Sequence, residues 1–128
     1  MIVCKSDAKK YKATISNDKT QMTYEAPAEK GGKESGFNPI EMLEAAVASD
    51  MNVAIRMYAD KQGFPLTDVT TYVSLDKNSM SEVFIKYSVK LEGELNSQQK
   101  KLLLQSALQT PVRETLSKRI SVLYSSRI

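Results

Sequence analysis

At 128 residues, with 41% hydrophobic and 26% charged residues, the chain is typical of one globular domain with a hydrophobic core. Its net charge of +3 is too small to predict nucleic-acid binding, and its apolar runs are too short to span a bilayer. Its single cysteine, Cys4, and its lack of histidine exclude an internal disulfide and a redox cycle between two cysteines of one chain. They also exclude histidine-based acid–base chemistry and common zinc sites.

These limits favour a cytoplasmic protein. Residues 1–10 lack the apolar segment of a signal peptide. We expect a single domain over residues 1–128, with no cofactor, no metal, no nucleic-acid partner and no membrane partner.

The N-terminal region predicts an antiparallel β-sheet of short strands. Residues 2–5 are suited to a strand, and residues 10–16 alternate between apolar and polar side chains. The Asn17-Asp18 pair is typical of a turn, and residues 20–25 supply the partner strand. The polar, glycine-containing segment 27–36 then forms either a mobile lid or an exposed loop with no task.

The stretch 38–63 predicts one long α-helix around which the rest of the chain packs. Asn38 is suited to cap the first turn, Pro39 to occupy the first position, and Gly63 to end the helix in a left-handed conformation. Apolar residues surround most of the helix, as in a helix that is buried on several sides. Asp50 is the exception, because a carboxylate within this apolar run must find partners, reach solvent or hold a proton.

The second half of the chain predicts a strand pair, two short helices and a last strand. Residues 69–75 and 83–91 alternate as antiparallel strands with one covered face. Residues 96–99 have the spacing of a capping box that opens a helix. Pro111 ends this helix and starts another, and residues 120–127 predict the final strand. The order of elements predicts an α+β fold with antiparallel sheets around a long central helix.

The order of the elements and two motifs of the chain resemble the OsmC/Ohr family. GFNPIEMLEAAVASDM, residues 36–51, is similar to the family's Gly-x-Asn-Pro segment that leads into its central helix. RMYADKQGFPLTDV follows at 56–69, and LQTPVRETL, residues 108–116, is similar to the segment around the family's second cysteine, which a proline follows. The resemblance implies an OsmC-like fold in which two chains intertwine as a homodimer, with sites at the subunit interface.

The resemblance also implies thiol-dependent reduction of hydroperoxides. In the family, a cysteine of the central helix is oxidised by the peroxide, a second cysteine condenses with it to a disulfide, and an external dithiol restores both. Asp50 and Thr110 stand at these two positions, and neither a carboxylate nor a hydroxyl can replace a thiolate. The family's N-terminal arginine has no counterpart before Arg56, whereas Glu41 lies near a glutamate that takes part in some members.

The residues alone leave the roles of Asp50, Thr110 and Arg113 open. Asp50 is either a general base or ligand anchor, or a buried carboxylate satisfied by Thr110, Arg113 or backbone donors. Thr110 either hydrogen-bonds to Asp50 or only caps the following helix. Arg113 either neutralises Asp50 or lies in a surface ion pair. Its surface partner would be Glu114 or Glu44.

We therefore predict an OsmC-like homodimer that has lost thiol peroxidase activity and binds a small molecule in an interface pocket. The predicted binding residues are Asp50, Thr110, Arg113 and Glu41. A carboxylate at the polar end of the pocket would favour a cationic or hydrogen-bonding ligand. One alternative is a diverged enzyme that uses Asp50 in proton transfer. The other is residual peroxidase activity through Cys4, although no basic partner that would activate this thiol can be assigned from the sequence.

Overall fold

The structure is a computed structural model that describes residues 1–9 and 11–126. Within these residues it combines antiparallel β-sheets with one long α-helix, which confirms the predicted α+β class. The chain divides into two compact units, Met1–Leu43 and a second unit that begins at Glu44. The single domain over residues 1–128 stays a prediction.

The first unit begins with a three-stranded antiparallel sheet. Its strands β1 (Val3–Ser6), β2 (Lys12–Ser16) and β3 (Gln21–Glu25) lie in the order β1-β2-β3. The turn between β2 and β3 is stabilised by Asn17, whose Oδ1 accepts a hydrogen bond of 2.8 Å from the Thr20 N–H. Because asparagine favours such turns, the predicted turn and both of its flanking strands are found where the sequence indicates.

The segment that follows β3 is held against the end of that strand. Glu25 is buried, and its carboxylate accepts hydrogen bonds from the Lys33 N–H (2.6 Å) and the Ser35 hydroxyl (3.2 Å). The Glu25 N–H in turn donates to the Ser35 carbonyl (2.9 Å). A short 3₁₀ turn, Ala28–Lys30, fills the space between these contacts. Since residues 33–35 are tied to Glu25 by these bonds and to Ala26 by the Glu34 N–H (3.2 Å), the structure does not support a freely mobile lid.

Helix α1 spans Pro39–Gln62 and has the predicted ends. Asn38 Oδ1 accepts from the Glu41 N–H (2.9 Å), and Glu41 Oε2 accepts from the Asn38 N–H (3.0 Å). This reciprocal pair is a capping box, which satisfies two backbone donors at the start of the helix. Gly63 follows the helix at a φ of +68°. No helix of the described residues is long and apolar enough to cross a bilayer.

In the second unit, α1 is hydrogen-bonded along a two-stranded antiparallel sheet. The strands are β4 (Leu66–Asp76) and β5 (Phe84–Gly93), as the alternating pattern predicts. Side chains of α1 bind backbone groups of β4 that a further strand would otherwise satisfy. The bonds are Leu75 N–H to Glu44 Oε1 (2.7 Å), Asn52 Nδ2 to the Val69 carbonyl (3.0 Å) and Arg56 Nη1 to the Leu66 carbonyl (2.7 Å). The helix thereby aligns itself along β4.

The core of the second unit lies between α1, β4 and helix α2, which spans Ser97–Ser106 and has the predicted capping box at Asn96. Helix α3, Pro111–Leu116, follows. The buried apolar residues are Val47, Met51, Ile55, Ala59, Leu66, Val69, Leu103 and Ala107. The α1 members recur every four residues, so one face of the helix is buried.

Other apolar residues of α1 are exposed, including Val53 (54%) and Met57 (65%). The prediction that α1 is buried on several sides is therefore not met within one chain.

The predicted C-terminal strand is absent from the described residues. Residues 120–126 form no strand, and Arg127 lies outside the described residues. Apolar side chains recur in this segment, but Val122 (96%) and Tyr124 (94%) are almost fully exposed. A strand requires a neighbour to pair with its backbone groups, and in the described part of the chain no strand pairs with this segment. The residues of this segment favour a strand, but the prediction that they form one is wrong.

Candidate functional site

Asp50 connects α1 to the first turn of α3. Its Oδ2 accepts a hydrogen bond of 2.8 Å from the Val112 N–H. Val112 is the second residue of α3, where a backbone N–H has no partner within the helix and usually binds the side chain of the N-cap residue. Asp50 therefore supplies from a different helix the acceptor that a capping residue supplies locally. Of the partners considered for Asp50 from the sequence, the structure selects a backbone donor.

Thr110 occupies the N-cap position of α3 without acting as a side-chain cap. Its backbone is extended there, with φ −119° and ψ 150°. The residue is 2% exposed, and its Oγ1 has no hydrogen-bond partner among the described residues. Both roles predicted for the hydroxyl, a bond to Asp50 and a helix cap, are therefore wrong. The physical reason is that the Asp50 carboxylate already takes the Val112 N–H that the threonine would otherwise bind.

Arg113 does not neutralise Asp50 in this chain. Its side chain is exposed, and its Nη1 donates to the Leu108 carbonyl (2.8 Å). Among the described residues it forms no ion pair, so the surface pairs considered for it are not formed either. Of those two surface partners, Glu44 binds the Leu75 N–H and Glu114 lies 3.6 Å from the Lys118 ammonium. The prediction that Arg113 forms an ion pair with Asp50 is therefore wrong.

Glu41 and Cys4 both lie in the first unit. The Glu41 carboxylate takes part in the capping box of α1, which accounts for its presence in the first turn. Cys4 is exposed on β1, where it lies opposite Ile15 of β2. An exposed thiol is accessible to reagents, but no side chain of the described residues forms a hydrogen bond with it.

A cavity of about 240 Å³ lies beside α3 in the second unit. Its walls are mostly apolar and come from α1, from β5 and the residue before it, and from α3. The lining residues are Val47, Met51, Val83, Ile85, Tyr87, Arg113, Leu116 and Ser117. Arg113 is the one charged residue of this lining, and Asp50 is not part of it. The expectation that a carboxylate forms the polar end of the pocket is therefore wrong for this cavity.

Sequence reasoning missed most of this lining, although a signal for part of it was present. Val83, Ile85 and Tyr87 recur every second residue, which places them on one side of an extended chain. Their meeting with Leu116 depends on how α3 packs, which no local pattern reveals. Of the predicted binding residues, the structure brings Asp50 close to the start of α3 and places Arg113 in the cavity lining.

Comparison with known protein families identifies the fold. The family model described as OsmC-like protein matches residues 31–125, which is most of the chain. The chain belongs to the OsmC family. A search of the curated proteins returned no match.

Solved structures of OsmC-family proteins have the same fold. The chain is similar to an OsmC-like protein from Mycoplasma pneumoniae, with a TM-score of 0.74, 16% identity, and coverage of 91% of this chain and 86% of that one. An organic hydroperoxide resistance protein, OsmC, from Legionella pneumophila gives a TM-score of 0.61, 22% identity, and coverage of 91% and 88%. The organic hydroperoxide resistance protein OhrB of Bacillus subtilis gives 0.60, 18%, and coverage of 90% and 89%. At these identities the likeness shows the fold alone.

Membership of the OsmC family makes the cysteine count informative. The chain has one cysteine, so it cannot form a disulfide between two cysteines of its own. Positions 50 and 110, which the sequence resemblance assigns to the reactive pair, hold a carboxylate and a hydroxyl. The structure brings residue 50 into contact with the helix that begins directly after residue 110.

Proposed function

We propose that this protein is a homodimeric OsmC-family protein without thiol peroxidase activity, and that it binds a small molecule at the subunit interface. The observation that carries the proposal is the Asp50 carboxylate, which accepts the Val112 N–H at the position that the resemblance assigns to the reactive sulfur. A carboxylate engaged in this way is a structural acceptor. It has no thiolate sulfur that could attack an O–O bond and then be reduced by a dithiol.

Thr110 supports the same proposal. The family's second cysteine must reach the first to form a disulfide, whereas the Thr110 hydroxyl has no partner among the described residues and cannot be oxidised in this way. Helix α3 is instead connected to α1 by the hydrogen bond from the Val112 N–H to Asp50. This link is independent of redox state, because neither of its atoms changes oxidation state under thiol-reducing conditions.

Exposed apolar residues support the homodimer. Val53 and Met57 are 54% and 65% exposed on α1, one helical turn apart. A water-exposed apolar stripe on a central helix is suited to packing against a second copy. The exposed apolar side chains of residues 120–124 add further surface of the same kind. We infer that a second chain covers part of this surface.

Hydroperoxide consumption tests the loss of peroxidase activity. Purified protein is mixed with cumene hydroperoxide and dithiothreitol, and peroxide loss is compared with a protein-free reaction. We expect no turnover above this background. Turnover that is abolished in Cys4→Ser would show that thiol chemistry has moved to Cys4. Turnover that survives this substitution and is lost in Asp50→Asn would instead favour proton transfer by Asp50 and overturn the proposal.

Analytical ultracentrifugation tests the homodimer. We expect the wild-type protein to sediment as a dimer and Met57→Glu to weaken association, since it places a charge in the apolar stripe. Gln62→Glu is the matched control, because it adds the same charge at an exposed polar position of the same helix. A wild-type monomer at all concentrations would refute the dimer.

A further inference from the structure

We propose that the cavity beside α3 binds a small organic anion with an apolar body, such as a short-chain carboxylate, and that Arg113 binds its charged end. The inference rests on the small-molecule binding proposed above and specifies the chemistry of the ligand. The charge is opposite to the one predicted from the sequence, because the lining residues include Arg113 and no acidic residue.

The walls of the cavity determine the body of the ligand. Of its apolar lining, Met51 and Val47 are 1% and 5% exposed, and Ile85 and Leu116 are half-buried. A ligand that fills this space removes apolar surface from water on both partners, which is the main source of affinity in such sites. The volume of about 240 Å³ is below the usual range for drug-sized ligands, which limits the body to a short chain or a single ring.

The polar end of the cavity determines the charge of the ligand. Arg113 Nη1 donates a hydrogen bond to the Leu108 carbonyl, which orients the guanidinium. Its other N–H donors form no hydrogen bond with the described residues and are available to a ligand. Guanidinium groups bind carboxylates through two parallel hydrogen bonds, and these charge-assisted bonds are stronger than neutral ones. A cationic ligand would meet the like charge of Arg113 with no lining carboxylate to offset it.

Titration with three probes of matched length tests the inference. Hexanoate, hexanol and hexylamine share one apolar body and differ only in the charge of the polar end. Binding is followed by chemical-shift changes of the amides of Ile85 and Leu116 in the isotopically labelled full-length protein. We expect hexanoate to bind about tenfold more tightly than hexanol, as follows from one charged hydrogen bond, and hexylamine to bind most weakly.

Variants assign the preference to Arg113. In Arg113→Gln, the affinity for hexanoate should fall to that for hexanol, while hexanol binding is unchanged. Arg113→Lys should retain part of the preference for hexanoate over hexanol. It replaces the glutamine variant as the test if that variant folds poorly. Arg119→Gln is the matched control, because Arg119 is an exposed cation near the same helix that does not line the cavity. Equal loss in both glutamine variants would overturn the role of Arg113.

The outcomes separate this inference from the proposed function. Equal binding of hexanoate and hexanol, or a preference for hexylamine, would refute the anionic ligand while leaving small-molecule binding intact. Binding of none of the three would refute both the ligand class and the use of this cavity. Hexanoate binding only by the weakly associating Met57→Glu variant would show that a second copy fills the cavity, which also overturns the inference. Peroxidase activity is tested separately by peroxide consumption.

Discussion

The Asp50 carboxylate and the Val112 N–H form a hydrogen bond of 2.8 Å between residues that are 62 positions apart in the chain. It gives α3 a cap from α1 in place of the local cap that Thr110 does not supply. A charged acceptor at the start of a helix is also favoured by the helix dipole. This contact and the partial exposure of Asp50 together explain why a carboxylate is tolerated in an otherwise apolar stretch of α1.

Asp50→Ala should lower the free energy of unfolding by about 1–3 kcal/mol, because it leaves the partly buried Val112 N–H without an acceptor. Asp50→Asn should lose less, since its amide oxygen can still accept. Asp60→Ala on the same helix is the control. The Asp60 carboxylate is exposed and its ion pair with Arg56 is long at 4.0 Å, so its loss should cost no more than about 0.5 kcal/mol. Denaturant unfolding measures all three. Equal losses for Asp50→Ala and Asp60→Ala would contradict the capping role.

Thr110→Val should be neutral or stabilise the protein by up to about 1 kcal/mol. The hydroxyl is buried without a partner among the described residues, so replacing it with a methyl group of similar size removes a desolvation cost. Thr110→Ser, which keeps the hydroxyl and removes the methyl group, should destabilise the protein instead. Thermal unfolding compares the two variants. A clear loss of stability in Thr110→Val would mean that the hydroxyl has a partner in the assembled protein.

Glu25→Ala should loosen the segment 27–36. The Glu25 carboxylate accepts from the Lys33 N–H at 2.6 Å and from the Ser35 hydroxyl, and loss of one charged hydrogen bond is expected to speed local opening about tenfold or more. Hydrogen exchange at the Lys33 amide measures the effect. Glu29→Ala, an exposed carboxylate in the same segment, should leave this exchange rate unchanged. Unchanged exchange in Glu25→Ala would show that other contacts hold the segment.

The Asp76–Lys86 pair should make a small, pH-dependent contribution to stability. The Lys86 ammonium, 2.8 Å from Asp76 Oδ2, lowers the pKa of that carboxyl, and the Asn78 N–H lowers the pKa further. A lowered folded-state pKa adds stability that is fully present above the ordinary aspartate pKa and is lost as the pH falls through the lowered one. The melting-temperature difference between wild type and Lys86→Gln should therefore vanish in acid.

Lys77→Gln provides the control for this pair, because Lys77 is an exposed neighbour that forms no ion pair among the described residues. Its melting-temperature difference from wild type should not follow the titration of Asp76. The Lys86→Gln difference should also shrink at high salt, since exposed pairs are screened. A difference that persists unchanged into strong acid would exclude the pair as its source.

Elements set by short-range patterns were predicted well. The Asn38 and Asn96 caps, the Asn17 turn, the end of α1 at Gly63 and the alternation of β5 all follow from residues within a few positions of one another. The physical reason is that capping and turn formation satisfy backbone groups locally, and alternation reflects which side of a strand is covered. Such features can therefore be predicted from a short stretch of sequence.

The partners of the site residues were not predictable in the same way. The sequence showed that Asp50 needs a partner but offered Thr110 and Arg113 beside backbone donors, and two of these three alternatives failed. The final strand failed for a related reason, because β-propensity says nothing about whether a neighbouring strand is available. The misses at Asp50 and at the final strand concern contacts between distant elements, and the local cap predicted for Thr110 failed because Asp50, from another helix, takes the Val112 N–H.

By itself, the sequence determined the α+β class, the caps of α1 and α2, the family resemblance and the absence of a cysteine pair. Only the tertiary structure decided that Asp50 caps α3, that Thr110 is buried without a partner among the described residues, and that Arg113 rather than a carboxylate lines the cavity. Local preferences act between neighbours along the chain. The choice among competing polar partners depends instead on distances of a few ångströms, which packing alone establishes.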